Sequence, residues 1–250
     1  MTDTDVSLEL QYSRWKAALT QPGCSACRIS KDYVTRYMIT LVREGKSHDE
    51  VYTRIELAWG FCERHARVLK AIGPAKLGNG MSPTRLCIWL LKALSRRLTS
   101  SRPSAVTGPR SSVQNTRWIW RKRSPGKGPA KQLDAKGRCP ACEDLSRSER
   151  SLLWGLQRFL SPIRGDETIR QLYRASDGLC LPHFRLAIEE VEEKASHDLL
   201  LQVQKATLSR VSGHLKEYLR KHDYRYAHEP MLEAEATSCR RAITLFVGER

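Results

Sequence analysis

Two short cysteine/histidine pairs, written twice in the same order, constrain this chain more than anything else in it. Cys24 and Cys27 form a C-x-x-C pair, and after 34 intervening residues Cys62 and His65 form a C-x-x-H pair. Cys139 and Cys142 repeat the first pair, and after 37 residues Cys180 and His183 repeat the second. These pairs use six of the eight cysteines. Three thiolates and one imidazole form a standard tetrahedral donor set for structural zinc, with Zn–S near ~2.3 Å and Zn–N at about 2.0–2.1 Å. Two donors three positions apart can turn inward together from one tight turn or from the start of a helix. The sequence therefore predicts metal binding at Cys24, Cys27, Cys62, His65, Cys139, Cys142, Cys180 and His183, with two zinc ions per chain.

The residues between the pairs have helical spacing. Tyr33, Val34, Tyr37, Met38, Leu41 and Val42 recur on one face, and Gly45-Lys46-Ser47 breaks the pattern. Ser47 then caps a second helix bearing Val51, Tyr52, Ile55, Ala58 and Trp59. Gly60-Phe61-Cys62 leads into a third helix carrying His65, Val68, Leu69 and Ile72. The later stretch has the same order: Leu152 to Leu160, a Ser161-Pro162 break, Ile169 to Tyr173, then Gly178-Leu179-Cys180 opening a helix with Phe184, Ala187, Ile188 and Val191.

The expected fold is all-α: two metal-clamped helical hairpins related by internal duplication, a long C-terminal helix and a short terminal one. The offset between the copies, 115 residues at the first cysteine and 118 at the histidine, is what a duplication would leave. The expected domains are residues 10–98, a basic flexible connector at 99–135, and residues 136–250. Cys24/Cys27 could in principle share an ion with Cys180/His183. Pairing within each hairpin is expected, because a hairpin returns the chain to its own start.

Further along, Ser82-Pro83 starts a helix through Leu86, Cys87, Trp89, Leu90 and Leu94. A long helix is expected from about Pro182 to Arg220, with Gly213 a place for it to bend, and a short one around Cys239 to Phe246. Cys87 and Cys239 fall on apolar faces and read as core residues. His48, His197, His214, His222 and His228 lack ligand-like spacing and read as surface residues, and Arg164-Gly165-Asp166 reads as a turn.

Other uses of paired cysteines fit less well. The acidic start, Met1-Thr2-Asp3-Thr4-Asp5, is not a signal peptide, and the chain is long and helical for a disulfide-stapled scaffold. No βαβ pattern surrounds either C-x-x-C, which argues against a thioredoxin-like redox pair. An iron–sulfur cluster with one histidine donor is the less favoured metal alternative. No apolar run reaches membrane-span length, and a soluble, cytoplasmic protein with reduced thiols is expected.

The net charge of +16 belongs mainly to the connector. Arg96 to Arg138 holds twelve Lys/Arg and one acidic residue, a net of +11, which leaves +5 for the remaining 207 positions. This stretch is rich in Ser, Pro and Gly, the composition of a linker. Within it, Arg117-Trp118-Ile119-Trp120-Arg121-Lys122-Arg123 interleaves aromatic and basic groups that could hold phosphates and stack on bases. The favoured reading is a solvated linker, with nucleic-acid binding through Arg96–Arg138 as the alternative.

The paired C-x-x-C…G-(F/L)-C-x-x-H units, with Gly60-Phe61-Cys62/His65 and Gly178-Leu179-Cys180/His183, resemble a prokaryotic domain-of-unknown-function family. His222-Asp223-Tyr224-Arg225-Tyr226 and Cys239-Arg240-Arg241-Ala242-Ile243 through Gly248 extend the likeness, which covers most of the chain outside the connector. Ser25 stands where a Pro often follows the first cysteine, and the connector is longer than usual. The resemblance implies metal ligation and a helical architecture, and brings no known activity.

No H-E-x-x-H, G-x-S-x-G or phosphate-cradling glycine loop is present. Four protein donors per ion would also close the site that hydrolytic zinc keeps open. A non-catalytic, zinc-binding protein-interaction or regulatory module, with an unknown protein partner, is the expected function. A metal- or redox-responsive protein is the further alternative.

Overall fold

The computed structural model describes residues 3–44, 49–72, 83–100, 134–226 and 228–249. Among them there is no strand, and eleven α-helices and one 3₁₀ turn account for the regular structure. In chain order these are α1 (Asp3–Leu19), α2 (Ser25–Glu44), α3 (Asp49–Leu57), α4 (Glu63–Ala71), α5 (Pro83–Ser100) and α6 (Pro140–Leu160). They continue with α7 (Glu167–Ala175), α8 (Leu181–Glu190), α9 (Lys194–Lys221), the 3₁₀ turn Tyr224–Tyr226, α10 (Glu233–Ala236) and α11 (Ser238–Val247). The all-α expectation holds. The breaks at Ser47 and Ser82, His48, and the aromatic-basic part of the connector lie outside the described residues.

The chain divides into two compact units. The first joins residues 1–36 to 144–250, and the second is residues 37–143. The divisions fall inside α2 and α6, so each of these helices begins in one unit and ends in the other.

The core of the first unit draws on both of its chain segments. Trp15, Ala18, Leu19 and Ile29 cluster with Leu152, Leu153, Leu156, Leu160, Ile169, Tyr173, Leu179, Leu200 and Val203. The positions on α6 follow from its periodicity: residues 152, 153, 156 and 160 form one stripe at steps of one, three and four. Leu153 and Leu156 are almost fully buried, and truncating either to Ala should cost about 2–5 kcal/mol. Helix α1 was not anticipated, although Tyr12, Trp15 and Leu19 have the same spacing. The Tyr12 ring meets Phe159 edge-on at 5.8 Å.

Local chemistry sets several boundaries. Ser161 Oγ accepts from the backbone N–H of Ile163 and Arg164 at 3.2 and 3.1 Å, which closes the expected turn after α6. Asp166 then caps α7 by accepting from Ile169 N–H at 2.9 Å. The helix expected from Pro182 to Arg220 is in fact two, α8 and α9, separated at 191–193. No Gly or Pro marks this break. Gln157 on α6 satisfies the backbone there: with its amide nitrogen turned to Glu190 O (2.5 Å), its oxygen accepts from Glu192 N–H at 2.8 Å. Gly213, by contrast, is exposed and α9 runs through it. Helices α10 and α11 both pack on α9. A buried ion pair, Lys221 to Glu235 at 2.7 Å, fastens α10 to the end of α9. Glu235 also accepts from Leu232 N–H at 2.9 Å.

Both cysteines assigned to the core are exposed. Each lies one position off a buried stripe: Cys87 beside Leu86, and Cys239 beside fully buried Ser238. One residue on a helix is a rotation of about 100°, enough to move a side chain from core to solvent. Of the other histidines, His222 and His228 are exposed as expected, while His197 and His214 are half-buried.

In the second unit Met38 of α2, Ile55 of α3, Leu86 and Ala93 of α5, and Ala141 of α6 are buried, and Tyr52 packs edge-on against Trp89 at 5.4 Å. The end of α3 turns sharply. Gly60 N–H donates to Ile55 O at 2.7 Å, and Gly60 has φ of +99°. Gly178, two residues before the second C-x-x-H, also has positive φ, +67°. The glycine of each G-(F/L)-C-x-x-H motif is therefore where the backbone takes a conformation that L side chains avoid.

Candidate metal centres

All four pairs occupy the same local structure, the first turn of a helix. Cys62 and Cys180 are the N-cap residues of α4 and α8, with extended backbones (φ/ψ of −62°/163° and −68°/157°). Their carbonyls accept the first intrahelical bonds, from Ala66 and Phe184 N–H, both at 2.8 Å. Cys24 and Cys139 precede α2 and α6 in the same way, accepting from Arg28 at 3.3 Å and Glu143 at 3.2 Å. The second member of each pair is then the third residue of its helix, whose side chain folds back beside the N-cap side chain. C-x-x-C and C-x-x-H are one geometry with different donors. The free N–H groups and positive dipole end of each helix face the side chains of its pair.

The structure gathers the eight side chains into two quartets, each with donor atoms within 4.8 Å of one another. Quartet 1 is Cys24, Cys27, Cys180 and His183; quartet 2 is Cys62, His65, Cys139 and Cys142. This corrects the expected pairing within each hairpin: every quartet takes one pair from each hairpin. The reason is helix length. Helix α2 has 20 residues and carries the chain about 26 Å from Cys27, whereas α3 has nine and spans only about 14 Å. Helices α6 and α7, of 21 and nine residues, repeat the mismatch. The mismatch disfavours a return of the C-x-x-H pair to its own C-x-x-C, and each such pair meets the C-x-x-C of the other hairpin. Quartet 1 lies wholly in the first compact unit and quartet 2 wholly in the second.

In quartet 1, His183 Nδ1 lies 3.6, 3.4 and 3.1 Å from the sulfurs of Cys24, Cys27 and Cys180. Cys27 and Cys180 sulfurs are 3.6 Å apart. In quartet 2, His65 Nδ1 lies 3.3, 3.5 and 3.3 Å from Cys62, Cys139 and Cys142, and the Cys62 and Cys142 sulfurs are 3.5 Å apart. No cysteine is in a disulfide, and all eight are free thiols. Among the described residues no third group of this kind occurs.

The surroundings hold these donors in place. His183 turns its other ring nitrogen, Nε2, to Glu149 Oε1 at 3.2 Å, which fixes Nδ1 toward the sulfurs. Glu249 N–H donates to Cys27 Sγ at 3.3 Å across 222 residues of sequence. Fully buried Leu179, whose N–H donates to Gln204 Oε1 at 3.2 Å, anchors the approach to Cys180. At quartet 2, Leu57 O at the end of α3 accepts from Lys136 and Gly137 N–H at 2.8 and 3.0 Å, bringing in the segment that carries Cys139. Arg54 pairs with Glu143, next to Cys142, at 2.7 Å.

Burial and the close approach of the sulfurs together set the electrostatics. Burial, then the neighbouring Cys62 and Cys139 sulfurs, push the Cys142 thiol up to about 12. At Cys62 burial acts in the same direction, but the backbone N–H groups of His65 and Arg64 and the sulfurs of Cys142 and Cys139 outweigh it and lower its pKa. At His183 burial disfavours the imidazolium, while the Cys180, Cys24 and Cys27 sulfurs and Glu149 raise the pKa well above the ordinary value. Three sulfurs this close cannot all ionise without a cation among them, and each quartet therefore could hold a metal ion.

Sequence reading missed Glu149 and the Glu249 amide. Glu149 is seven residues after Cys142, two turns along α6, but its partner His183 belongs to another helix and no spacing rule connects them. The amide of Glu249 leaves no mark in a side-chain pattern at all.

No helix among the described residues is long and apolar enough to cross a membrane. No curated protein and no solved structure matches the chain. The doubled Cys/His motif and the helical scaffold around it extend over the region that does find a match, residues 14–250, and by that match the chain belongs to a family of unknown function (DUF6062).

Proposed function

We propose that this chain is a non-catalytic protein held in shape by two structural zinc ions, one per quartet, with Cys24, Cys27, Cys180 and His183 as one ligand set and Cys62, His65, Cys139 and Cys142 as the other. The observation that carries the reading is the fit of the quartets to a zinc tetrahedron. With zinc's preferred bond lengths, the edges of a Cys₃His tetrahedron are about 3.8 Å between sulfurs and about 3.6 Å from sulfur to nitrogen. Here the Cys27–Cys180 and Cys62–Cys142 sulfurs are 3.6 and 3.5 Å apart, sulfur to nitrogen runs from 3.1 to 3.6 Å, and all donor atoms of a quartet lie within 4.8 Å. Four protein donors complete the coordination shell and leave no position for an activated water. The Glu149–His183 contact is the outer-shell carboxylate that metal-bound histidines commonly have.

Bound zinc supplies a fixed tetrahedral cross-link and the positive charge that the crowded thiolates require. The outer faces of the helices are left for contact with other molecules, which makes a protein-interaction or regulatory module the function these sites fit best. Elemental analysis with visible absorbance tests the metal assignment. Two zinc ions per chain and a colourless solution are expected. A brown protein containing iron and acid-labile sulfide would replace zinc with a cluster.

A further inference from the structure

We propose that the two metal centres have different roles: quartet 2 is a peroxide-responsive centre that releases its ion, and quartet 1 is a permanent one. The inference rests on the proposed metal binding and adds a division of labour to it.

The difference is in access. In quartet 1 all four residues are buried: Cys24, Cys27, Cys180 and His183 are 4, 4, 1 and 6% exposed. Tyr173, fully buried, lies near Cys24, and the Glu249 amide covers Cys27. A cleft of about 580 Å³ beside α11 has Cys24 and Cys180 in its wall, yet leaves them at those low exposures. Quartet 2 has the opposite polarity. Its histidine, His65, is fully buried, while Cys62 and Cys139 are half-buried and Cys142 is exposed. A small oxidant in solvent therefore meets sulfur at quartet 2 and packed side chains at quartet 1.

Quartet 2 also has the geometry for a two-step oxidation. Cys142 Sγ attacks one oxygen of hydrogen peroxide, the O–O bond breaks, and the departing hydroxide takes a proton from solvent to give water and a sulfenic acid on Cys142. Cys62 Sγ, 3.5 Å away, then attacks the Cys142 sulfur and expels its hydroxyl as a second water, with a second proton from solvent. Two thiolates lose two electrons and one peroxide gains them. Closing the S–S bond to about 2.05 Å needs a movement of roughly 1.5 Å. A metal ion at quartet 2 would then be left with Cys139 and His65 alone, two donors of four, and would be released.

The test uses the full-length, metal-loaded protein. Its metal content is measured first, so that fewer than two ions would count against the two-metal reading itself. Hydrogen peroxide is then added with the chromogenic chelator 4-(2-pyridylazo)resorcinol, and the peptides are mapped by mass spectrometry. One ion should leave at least ~10-fold faster than the other, with a Cys62–Cys142 disulfide appearing at the same rate. Release of both ions at one rate, or oxidation of Cys24, Cys27 or Cys180 first, would overturn the inference and leave the two-metal reading standing. Alkylation of the unoxidised protein by iodoacetamide gives a second measure that needs no variant. Cys62, Cys139 and Cys142 should label ahead of Cys24, Cys27 and Cys180, with exposed Cys87 and Cys239 as internal references. Equal labelling of the two sets would also overturn it.

Discussion

Substituting cysteines two at a time tests the crossed ligand sets directly. Structural zinc binding is worth on the order of 10 kcal/mol or more, comparable to the whole net stability of a domain, so losing one donor should empty its site. Cys62→Ser with Cys139→Ser strikes quartet 2 twice. The first substitution removes the ion, and the second acts on a site already broken, so it should add at most about 1 kcal/mol for a half-buried hydroxyl that water can reach. Quartet 1 and the larger core around it are untouched, and the double variant should fold and retain one ion. Cys62→Ser with Cys24→Ser strikes both quartets, although the two cysteines belong to the same hairpin in sequence. Its costs should add, and it should retain no metal. Elemental analysis against protein sulfur gives the stoichiometry, and thermal melts give the coupling. If the Cys24/Cys62 variant keeps one ion while the Cys62/Cys139 variant keeps none, pairing runs within hairpins and the crossed sets are wrong.

Three further outcomes follow from the same geometry. A chain cut at a protease site placed in the connector should migrate as one particle and hold two ions, because each piece carries only half of each quartet; two separating pieces with one ion each would contradict the crossing. Glu149→Gln should weaken metal binding at quartet 1 by about 10–100-fold and leave quartet 2 unchanged, measured by competition with a chelator; equal weakening at both would mean that Glu149 acts on the fold and not on His183. Gly178→Ala should lower stability by about 1–2 kcal/mol, since the position has φ of +67° and a Cβ would press on Gln204 Oε1 at 3.0 Å; an unchanged melting temperature would refute the need for glycine there.

Much of this was legible in the sequence, and what was not has identifiable causes. The donor residues, the helix starts after Gly60 and Gly178, and the turn at Ser161-Pro162 all follow from local rules that involve a few neighbouring residues. The pairing of donors depends on lengths. The break at Gly45 already allowed α2 to be set against the shorter run after it, a mismatch in rise that speaks against a hairpin closing on its own start. The gap between α8 and α9 had no local sign, because the group that stabilises it, the Gln157 amide, comes from another helix. Cys87 and Cys239 were misplaced by one position each, an error that a stripe on a helix turns into a reversal of side. Glu149 was out of reach because its role depends entirely on which helix faces it.

The crossing of the ligand sets has a consequence for how the chain is made. Cys27 and Cys180 are 153 residues apart, and at roughly 5–20 residues per second a ribosome takes about 8–30 s to cover that interval. Throughout it Cys24 and Cys27 are present while Cys180 and His183, the other half of their quartet, are still unmade. Neither ion can be seated by its full set of donors as the first half emerges, as it could if each hairpin closed on itself. A metal held by four donors would thus be seated late, at quartet 2 once Cys142 has been made and at quartet 1 once His183 has. Until then Cys24 and Cys27, and for a shorter interval Cys62, are without the partners that complete their quartets.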